Sequence, residues 1–400
     1  DQKLNRDVFI PPDANGGAAD GELVVVEVEN WGDDRLGPAG RVVEVLGPRD
    51  RPGVDVLAIL HGHDLPATFP PEVQQAAVAI NARGIGGADL KGREDLRDVL
   101  VFTIDPADAK DHDDALSVRR DGAEWEVGIH IADVSHYVEE GGVIDLEALG
   151  RGTSVYLVDR VVPMLPHELS GDLCSLRPDV DRLAMSLMVR MAADGEVRSS
   201  RLVRSVIRSR HRLSYEAAQQ VMDGRASGDA ELDEALRALV ELSRHVRAQR
   251  HLRGSIDFDL PEARVVLNQQ GEPTDIQKVL RLEAHRLVED FMILANETVA
   301  RRASRAKLPF IYRIHEAPDA DRVEQLVDFV RSFGLTFRPS REPKAFQSLI
   351  EQVQGRPEEG LVSTVVLRSM KQARYSAENV GHFGLASQHY AHFTSPIRRY

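Results

Sequence analysis

Residues 103–118 read TIDPADAKDHDDALSV. Asp105, Asp108, Asp111, Asp113 and Asp114 fall within ten residues, between two apolar segments rich in β-branched side chains. Two carboxylates about 4 Å apart repel by roughly 4 kcal/mol at an effective dielectric near 20. An exposed acidic turn escapes that repulsion by splaying its side chains into water. A loop pinned at both ends by buried strands keeps its carboxylates close, and then needs protons or a cation. A calcium loop is excluded, because Ala115 and Leu116 stand where that motif needs another oxygen ligand and a glycine. Hard oxygen donors without cysteine or paired histidine suit Mg²⁺ or Mn²⁺, ions that polarise a phosphate and activate water.

Working outward, DVLVFTID, ALSVRR, WEVGIHIADV, VYLVDRVV, RLAMSLMVRM and VRSSRLVRSVIRS make residues 99–212 mostly strand-like. The chain then turns helical. YEAAQQVMDG, DAELDEALRALVELSRHVRAQRHLRG, VLRLEAHRLVEDFMILANETVARRASRA and DADRVEQLVDFVRSFG carry apolar residues at helical spacing, with Gly334 expected as a C-cap. Ahead of the acidic loop, ELVVVEVENW and GRVVEVLG predict short strands and VDVLAILHGH another. PPEVQQAAVAINARG predicts a helix stopped by Gly84. The expected fold class is α+β. A mixed domain over 99–400, β-rich in its first half and helical in its second, follows a small β unit at 1–50 and a connector at 51–98.

The apolar share of 42% and charged share of 28% are those of an ordinary globular chain. No apolar run approaches the roughly 18 residues that would cross a bilayer, and the N-terminal residues lack a signal-peptide pattern. A cytoplasmic monomer without membrane contact is expected. Cys174 is the only cysteine, so no internal disulfide can form, and no Cys/His cluster has zinc spacing. The net charge of −14 argues against binding polyanions through the overall field, but not against a local basic channel. Residues 361–400 carry Arg368, Lys371, Arg374, Arg398 and Arg399 against Glu378 alone, a local charge of +4.

Four further stretches bear on chemistry. Tyr156 precedes a stiff Pro163/Pro166 segment, as a packing residue or as a face for base stacking. Phe258 sits between Asp257 and Asp259, where a core phenylalanine is out of place and a ligand contact is the rival reading. His285, Glu289, Met292 and Asn296 share one face of a helix over 281–306, lining either a wet channel or plain solvent. In the closing HFTSPIRRY, Thr394, Ser395, Arg398 and Arg399 offer hydroxyl and guanidinium donors. Carboxylate-held metal plus arginine is a recurring solution for phosphoryl transfer.

TIDPADAKDHDDA, HIADVSHYV, RGTSVYLVDRVVPMLP, LCSLRPDVDRLAMS, LRSMKQARY and GHFGLASQHYAHFTSPIRRY, in this order, resemble the motifs of the ribonuclease II/ribonuclease R family over about 95–400. Residues 1–50 resemble the later part of a cold-shock, OB-type barrel. The resemblance implies a processive 3′→5′ exoribonuclease that uses Mg²⁺ to cut single-stranded RNA to 5′-mononucleotides. It implies that Asp105, Asp111 and Asp114 serve the metal, that loss of Asp113 stops cleavage but not binding, and that Arg398 supports the scissile phosphate. Tyr156 and Phe258 would clamp the terminal bases, Tyr215 and Glu289 would favour RNA over DNA, and Ser395 and Arg399 would contact RNA. It also implies that the catalytic domain continues past Tyr400 and that the cold-shock unit begins before Asp1. Two rivals stay open: an RNA-binding module that does not cut, and a metal-dependent phosphodiesterase with another nucleic-acid substrate.

Overall fold

The computed structural model describes residues 6–33, 37–258 and 262–398. The N-terminal unit is an antiparallel pair, β1 (Glu22–Asn30) and β2 (Ala39–Pro48), with helix α1 (Val54–Gly62) against both strands. Residues 54–62 were expected as a strand from their apolar content; they are α1. Short apolar runs suit either element, and here Gly53, at φ 83°, turns the chain so that Val54 and Leu60 bury against the hairpin side. Helix α2 (Pro71–Arg83) ends at Gly84 as its sequence predicts.

The central feature is a closed sheet. β3 (Glu94–Asp95), β4 (Val101–Asp105), β5 (Asp114–Asp121) and β6 (Glu124–Ala132) are followed by α3 (Val143–Arg151), which has no counterpart in the sequence reading. The short pair β7 (Val155–Tyr156) and β8 (Val161–Val162) comes next, then β9 (Asp181–Met191) and β10 (Val197–Ser214). The order is β3-β10-β4-β5-β6-β9, and β9 also pairs with β10, closing the ring. β10 can serve both partners because it is 18 residues long. Its Val197–Arg208 part runs antiparallel to β9, and its Ser209–Ser214 part runs parallel to β4.

Helices follow: α4 (Tyr215–Met222), α5 (Ala230–Arg253), then the hairpin β11 (Glu262–Leu267) and β12 (Pro273–Val279), then α6 (Glu283–Arg305). β13 (Tyr312–Ile314), α7 (Ala320–Arg331), α8 (Pro343–Val353), α9 (Glu359–Ser369) and β14 (Arg374–Ser376) complete the described chain. The turn after α7 is capped by Ser332, and Gly334 lies two residues further on at φ 68°. None of the described helices is long and apolar enough to cross a membrane.

Strand periodicity divides the core in two. Phe102, Ile104, Leu116, Ile129 and Leu187 pack under α4, α5 and α6, while Val101, Ala115, Ala132 and Ala184 belong to a second cluster with α2 and α3. Through the second face runs a buried polar chain. Ser117 Oγ meets His130 Nε2 at 2.9 Å, His130 Nδ1 meets Ser186 Oγ at 2.7 Å, and Ser186 Oγ meets Ser205 Oγ at 2.6 Å. Burial pushes the His130 pKa down to about 3, so the ring bridges these hydroxyls as a neutral group. Gly128 makes room for it: a Cβ there would lie 2.6 Å from His130 Nε2 and closer still to Ser117 Oγ. Gly128→Ala should therefore destabilise the protein by about 1–3 kcal/mol, read as a lower urea midpoint. An unchanged midpoint would mean that the polar chain is not tightly packed.

Candidate active site

β4 and β5 pair only at Val101↔Ser117 and Phe102↔Leu116. On its other edge β4 pairs with β10 all the way from Val101 to Asp105, which stands opposite Ser214, and the acidic loop spans the gap to β5. The loop is therefore held at one end of the closed sheet. It is also tied along its length. His112 N–H donates to Ser175 Oγ at 2.9 Å, Leu176 N–H donates to the His112 carbonyl at 2.9 Å, and Ser175 Oγ donates to the Lys110 carbonyl at 3.2 Å. Arg212 Nη2 donates to the carbonyls of Ala107 and Ala109 at 2.7 and 3.0 Å.

This anchoring keeps the carboxylates together. Asp105 and Asp113 are buried, whereas Asp108 points outward and pairs with Arg264 at 2.9 Å. Withdrawal from water pushes the Asp113 pKa up to about 8. Arg398 opposes that rise, and Asp114, Asp111 and Asp105 add to it. Asp114 is pushed up to about 7, first by burial and then by the charge of Asp105. Arg398 is the counter-cation: its Nε makes an ion contact with Asp113 Oδ2, lies 3.4 Å from Asp111 Oδ2, and its Nη2 donates to the Asp111 carbonyl at 3.1 Å. The other Asp113 oxygen, Oδ1, is buried without a partner among the described residues.

Arg398 is placed by the chain that precedes it. Ser154 N–H and Thr153 Oγ1 both donate to the Arg398 carbonyl, at 2.8 and 2.9 Å, and Ile397 is buried in the second core cluster. Ser395 is buried, and its hydroxyl accepts the Ile397 N–H at 3.2 Å, so this side chain fastens the turn that presents Arg398. Tyr156 stays 52% exposed, donates its hydroxyl to Asp111 Oδ2 at 3.1 Å, and has the Arg398 guanidinium 5.9 Å from its ring centroid. Arg399 lies outside the described residues.

Tyr215 begins α4, directly after Ser214, which caps that helix and sits opposite Asp105. Burial pushes its hydroxyl pKa up to about 12, helped by the charges of Asp114 and Asp105. Its ring stacks on His285 at 3.8 Å. One helical turn along α6 from His285 lies Glu289, which pairs with Arg281 at 2.6 Å, and Arg281 also holds Asp257 at 2.7 Å. Adjacent Asp290 points the other way and is buried with Arg247 and Arg250. Asn296, further along the expected stripe, is buried, donating to Tyr390 Oη at 3.1 Å and accepting from Phe393 N–H at 2.6 Å. Phe258 is half-buried against the α7–α9 cluster that contains Leu326, Val330 and Phe346. The structure thus gathers Asp105, Asp111, Asp113, Asp114, Arg398, Tyr156 and Tyr215 at the sheet end, and it seats Phe258 on a separate apolar cluster.

One residue escaped the sequence reading. His112 is buried, and its Nδ1 bonds Asp105 Oδ2 at 2.7 Å. It lies inside the acidic run, but sequence cannot show which way a loop side chain turns. Among the described residues, no three His, Cys, Asp or Glu side chains close around a metal ion by themselves. Mg²⁺ does not need such a cage, because it commonly binds through one or two carboxylates plus substrate phosphates and water. Buried carboxylates with raised proton affinity and an orphan oxygen fit that mode.

A family model for the RNB domain matches residues 93–400, and one for the cold shock domain matches residues 1–70. The chain belongs to the RNB-domain family. Ribonuclease R of Thermotoga maritima is 43% identical over 408 residues, taking in 100% of this chain and 57% of that protein. Ribonuclease R of Escherichia coli is 38% identical over 410 residues, 100% of this chain and 50% of that protein. The chain spans about half the length of the curated relatives it matches. Mycoplasma genitalium RNase R in complex with ribose-methylated single-stranded RNA matches with a TM-score of 0.93 at 29% identity, over 98% of this chain and 62% of that one. Yeast Ssd1, a pseudonuclease, shares the fold at a TM-score of 0.74 and 20% identity, over 98% of this chain and 50% of that one.

Two outcomes follow from the geometry. Asp113 and Asp114 titrate near 3.8 when unfolded and far higher when folded, so their ionisation opposes folding as pH rises from about 4 to 8. In metal-free protein, Asp113→Asn should add about 2 kcal/mol or more of stability at pH 8 and much less at pH 5. Urea unfolding at both pH values measures this, and an equal gain at both would contradict it. His112→Phe keeps a ring but loses the bond to Asp105. It should weaken Mn²⁺ binding by about tenfold, measured by calorimetry on protein shown to be folded; unchanged affinity would leave His112 as a loop anchor only.

Proposed function

We propose that this chain carries the core of a processive 3′→5′ exoribonuclease that hydrolyses single-stranded RNA to 5′-mononucleotides. The observation that supports it most is the pairing of a buried, partly unsatisfied Asp113 with Arg398, beside an exposed Tyr156. Family membership adds the substrate: the relatives are ribonucleases, and the Mycoplasma genitalium enzyme was captured with single-stranded RNA. We read residues 1–50 as part of the cold-shock unit, 51–98 as connector and 99–400 as the catalytic domain, in a protein that works in the cytoplasm.

Asp105, Asp111 and Asp114 would hold Mg²⁺ or Mn²⁺, which when bound polarises the phosphate and activates water. Asp113 Oδ1 receives a hydrogen of the attacking water and orients it. Oxygen adds to the phosphorus that joins the last two nucleotides, the bond to the 3′-oxygen breaks, and the proton ends on that oxygen. Arg398 donates to the non-bridging oxygens, where negative charge develops. Tyr156 stacks on the terminal base, and Tyr215, through its hydroxyl, with Glu289 behind it, reads the ribose 2′-OH.

A 5′-labelled single-stranded oligo(A) on a sequencing gel with Mg²⁺ tests this. Wild-type protein should shorten the strand stepwise from its 3′ end. Asp113→Asn should slow cleavage by about 10²–10⁴-fold while RNA affinity stays within a few-fold. Tyr156→Ala should change the length of the final undegraded fragment. Intact RNA shifted by binding would instead identify an RNA-holding module, and equal cutting of DNA would identify a broader phosphodiesterase.

A further inference from the structure

At the far end of α6 from His285 and Glu289, a cavity of about 620 Å³ lies where the last turns of that helix meet the first residues of β10. From Glu289 to Arg302 is about 20 Å along the helix axis, so this cavity is no part of the acidic loop's site. Four arginines line it: Arg198 from β10, and Arg301, Arg302 and Arg305 from α6. With Thr298 the three helical arginines stand at i, i+3, i+4 and i+7, which is one face of α6. Thr298, Ser199 and Ser200 add hydroxyls, and among the described residues lining the cavity none is acidic and none is aromatic. The three helical arginines have no ion-pair partner among the described residues, and Glu297, one turn before Arg301, is held by Arg253 at 2.7 Å. Of the four only Arg198 is paired, with Glu196 at 2.9 Å.

Arginines gathered on one helix face repel one another. The helix dipole favours cations in its last turn, which accounts for Arg302 and Arg305. It does not account for Arg301, which precedes that turn, or for Arg198 on the strand. β10 shifts register between Val197 and Ser199, so Arg198 is the extra residue of a bulge, a device that re-aims a side chain. In a chain of net charge −14, a cavity walled by cations without an acid is a local anion site. Lacking an aromatic face it does not stack a base, and guanidinium forks with hydroxyls suit phosphate oxygens. We propose that this cavity binds a small molecule through a diphosphate group, apart from the acidic loop. Two linked phosphates concentrate their charge in one place, as the arginines do, whereas an RNA strand spreads one charge per nucleotide. The inference stands independently of the exoribonuclease reading.

Inorganic pyrophosphate is the probe, titrated by calorimetry into the whole protein at low salt with EDTA, so that no metal bridges it to the acidic loop. Wild-type protein should bind it with a Kd below about 1 mM, and inorganic phosphate about tenfold more weakly or worse. Replacing both Arg301 and Arg305 by Ala should weaken pyrophosphate binding by about tenfold or more. Arg302→Glu, which reverses one charge, should weaken it comparably and serves if the double variant does not fold. Arg398→Ala should leave the affinity within about twofold of wild type. Absence of binding, or an affinity unmoved by the α6 variants, overturns the site. Loss of binding in Arg398→Ala would put the pyrophosphate at the acidic loop and overturns it equally. A 5′-hydroxyl oligo(A), titrated under the same conditions, distinguishes the other source of phosphate. Its affinity should be the same for wild type and the double variant, and a loss as large as that for pyrophosphate would make the cavity an RNA contact instead.

Discussion

The site depends on one costly arrangement, the retention of Asp105, Asp113 and Asp114 side by side and largely away from water. Burial and mutual repulsion both favour protonated carboxyls, which is why two of the three hold their protons near neutral pH. Arg398 offsets part of this cost, and it reaches the loop from 287 residues along the chain. A single guanidinium cannot balance the set. The remaining imbalance is the ground on which we propose that the loop takes a cation, and through the cation a phosphate.

Such a loop persists only if the surrounding structure over-determines it. The closed sheet does this by sharing partners. β4 leaves β5 after two residue pairs but stays paired with β10 as far as Asp105, so the acidic connection is stretched over a gap with both ends fixed in ladders. The same β4–β10 pairing delivers Tyr215, because β10 ends at Ser214 opposite Asp105 and α4 starts on the next residue. Sites built at the ends of such elements hold their geometry better than sites on free loops. The Arg398 turn is fastened separately, by Thr153, Ser154 and the Ser395 hydroxyl.

Much of this is legible in the sequence. The strands of the sheet announced themselves by β-branched runs, and the long helices by apolar spacing, because burial imposes those periods locally. The acidic run and its strand–loop–strand setting were likewise visible. What failed had a non-local cause. Residues 54–62 are apolar enough for either element, and contact with β1 and β2 decides for helix. The His112 bond to Asp105 depends on a loop side chain turning inward, which follows from anchors at Ser175 and Leu176 far along the chain. For Phe258, between acidic neighbours, the sequence leaves packing and ligand contact both open, and the α7–α9 cluster against which it is half-buried lies far along the chain.

The fold alone does not decide the chemistry, since yeast Ssd1, a pseudonuclease, shares it. We propose that the carboxylates of the loop are crowded because a divalent cation belongs among them. The most direct measurement is the thermal midpoint at pH 8 with and without Mg²⁺, for wild type and for Asp105→Asn. A ligand at about 100 times its Kd adds about 2.7 kcal/mol. Wild type should gain several degrees and the variant most of a shift less. Equal midpoints with and without Mg²⁺ in wild type, or the same gain in both proteins, would contradict the account.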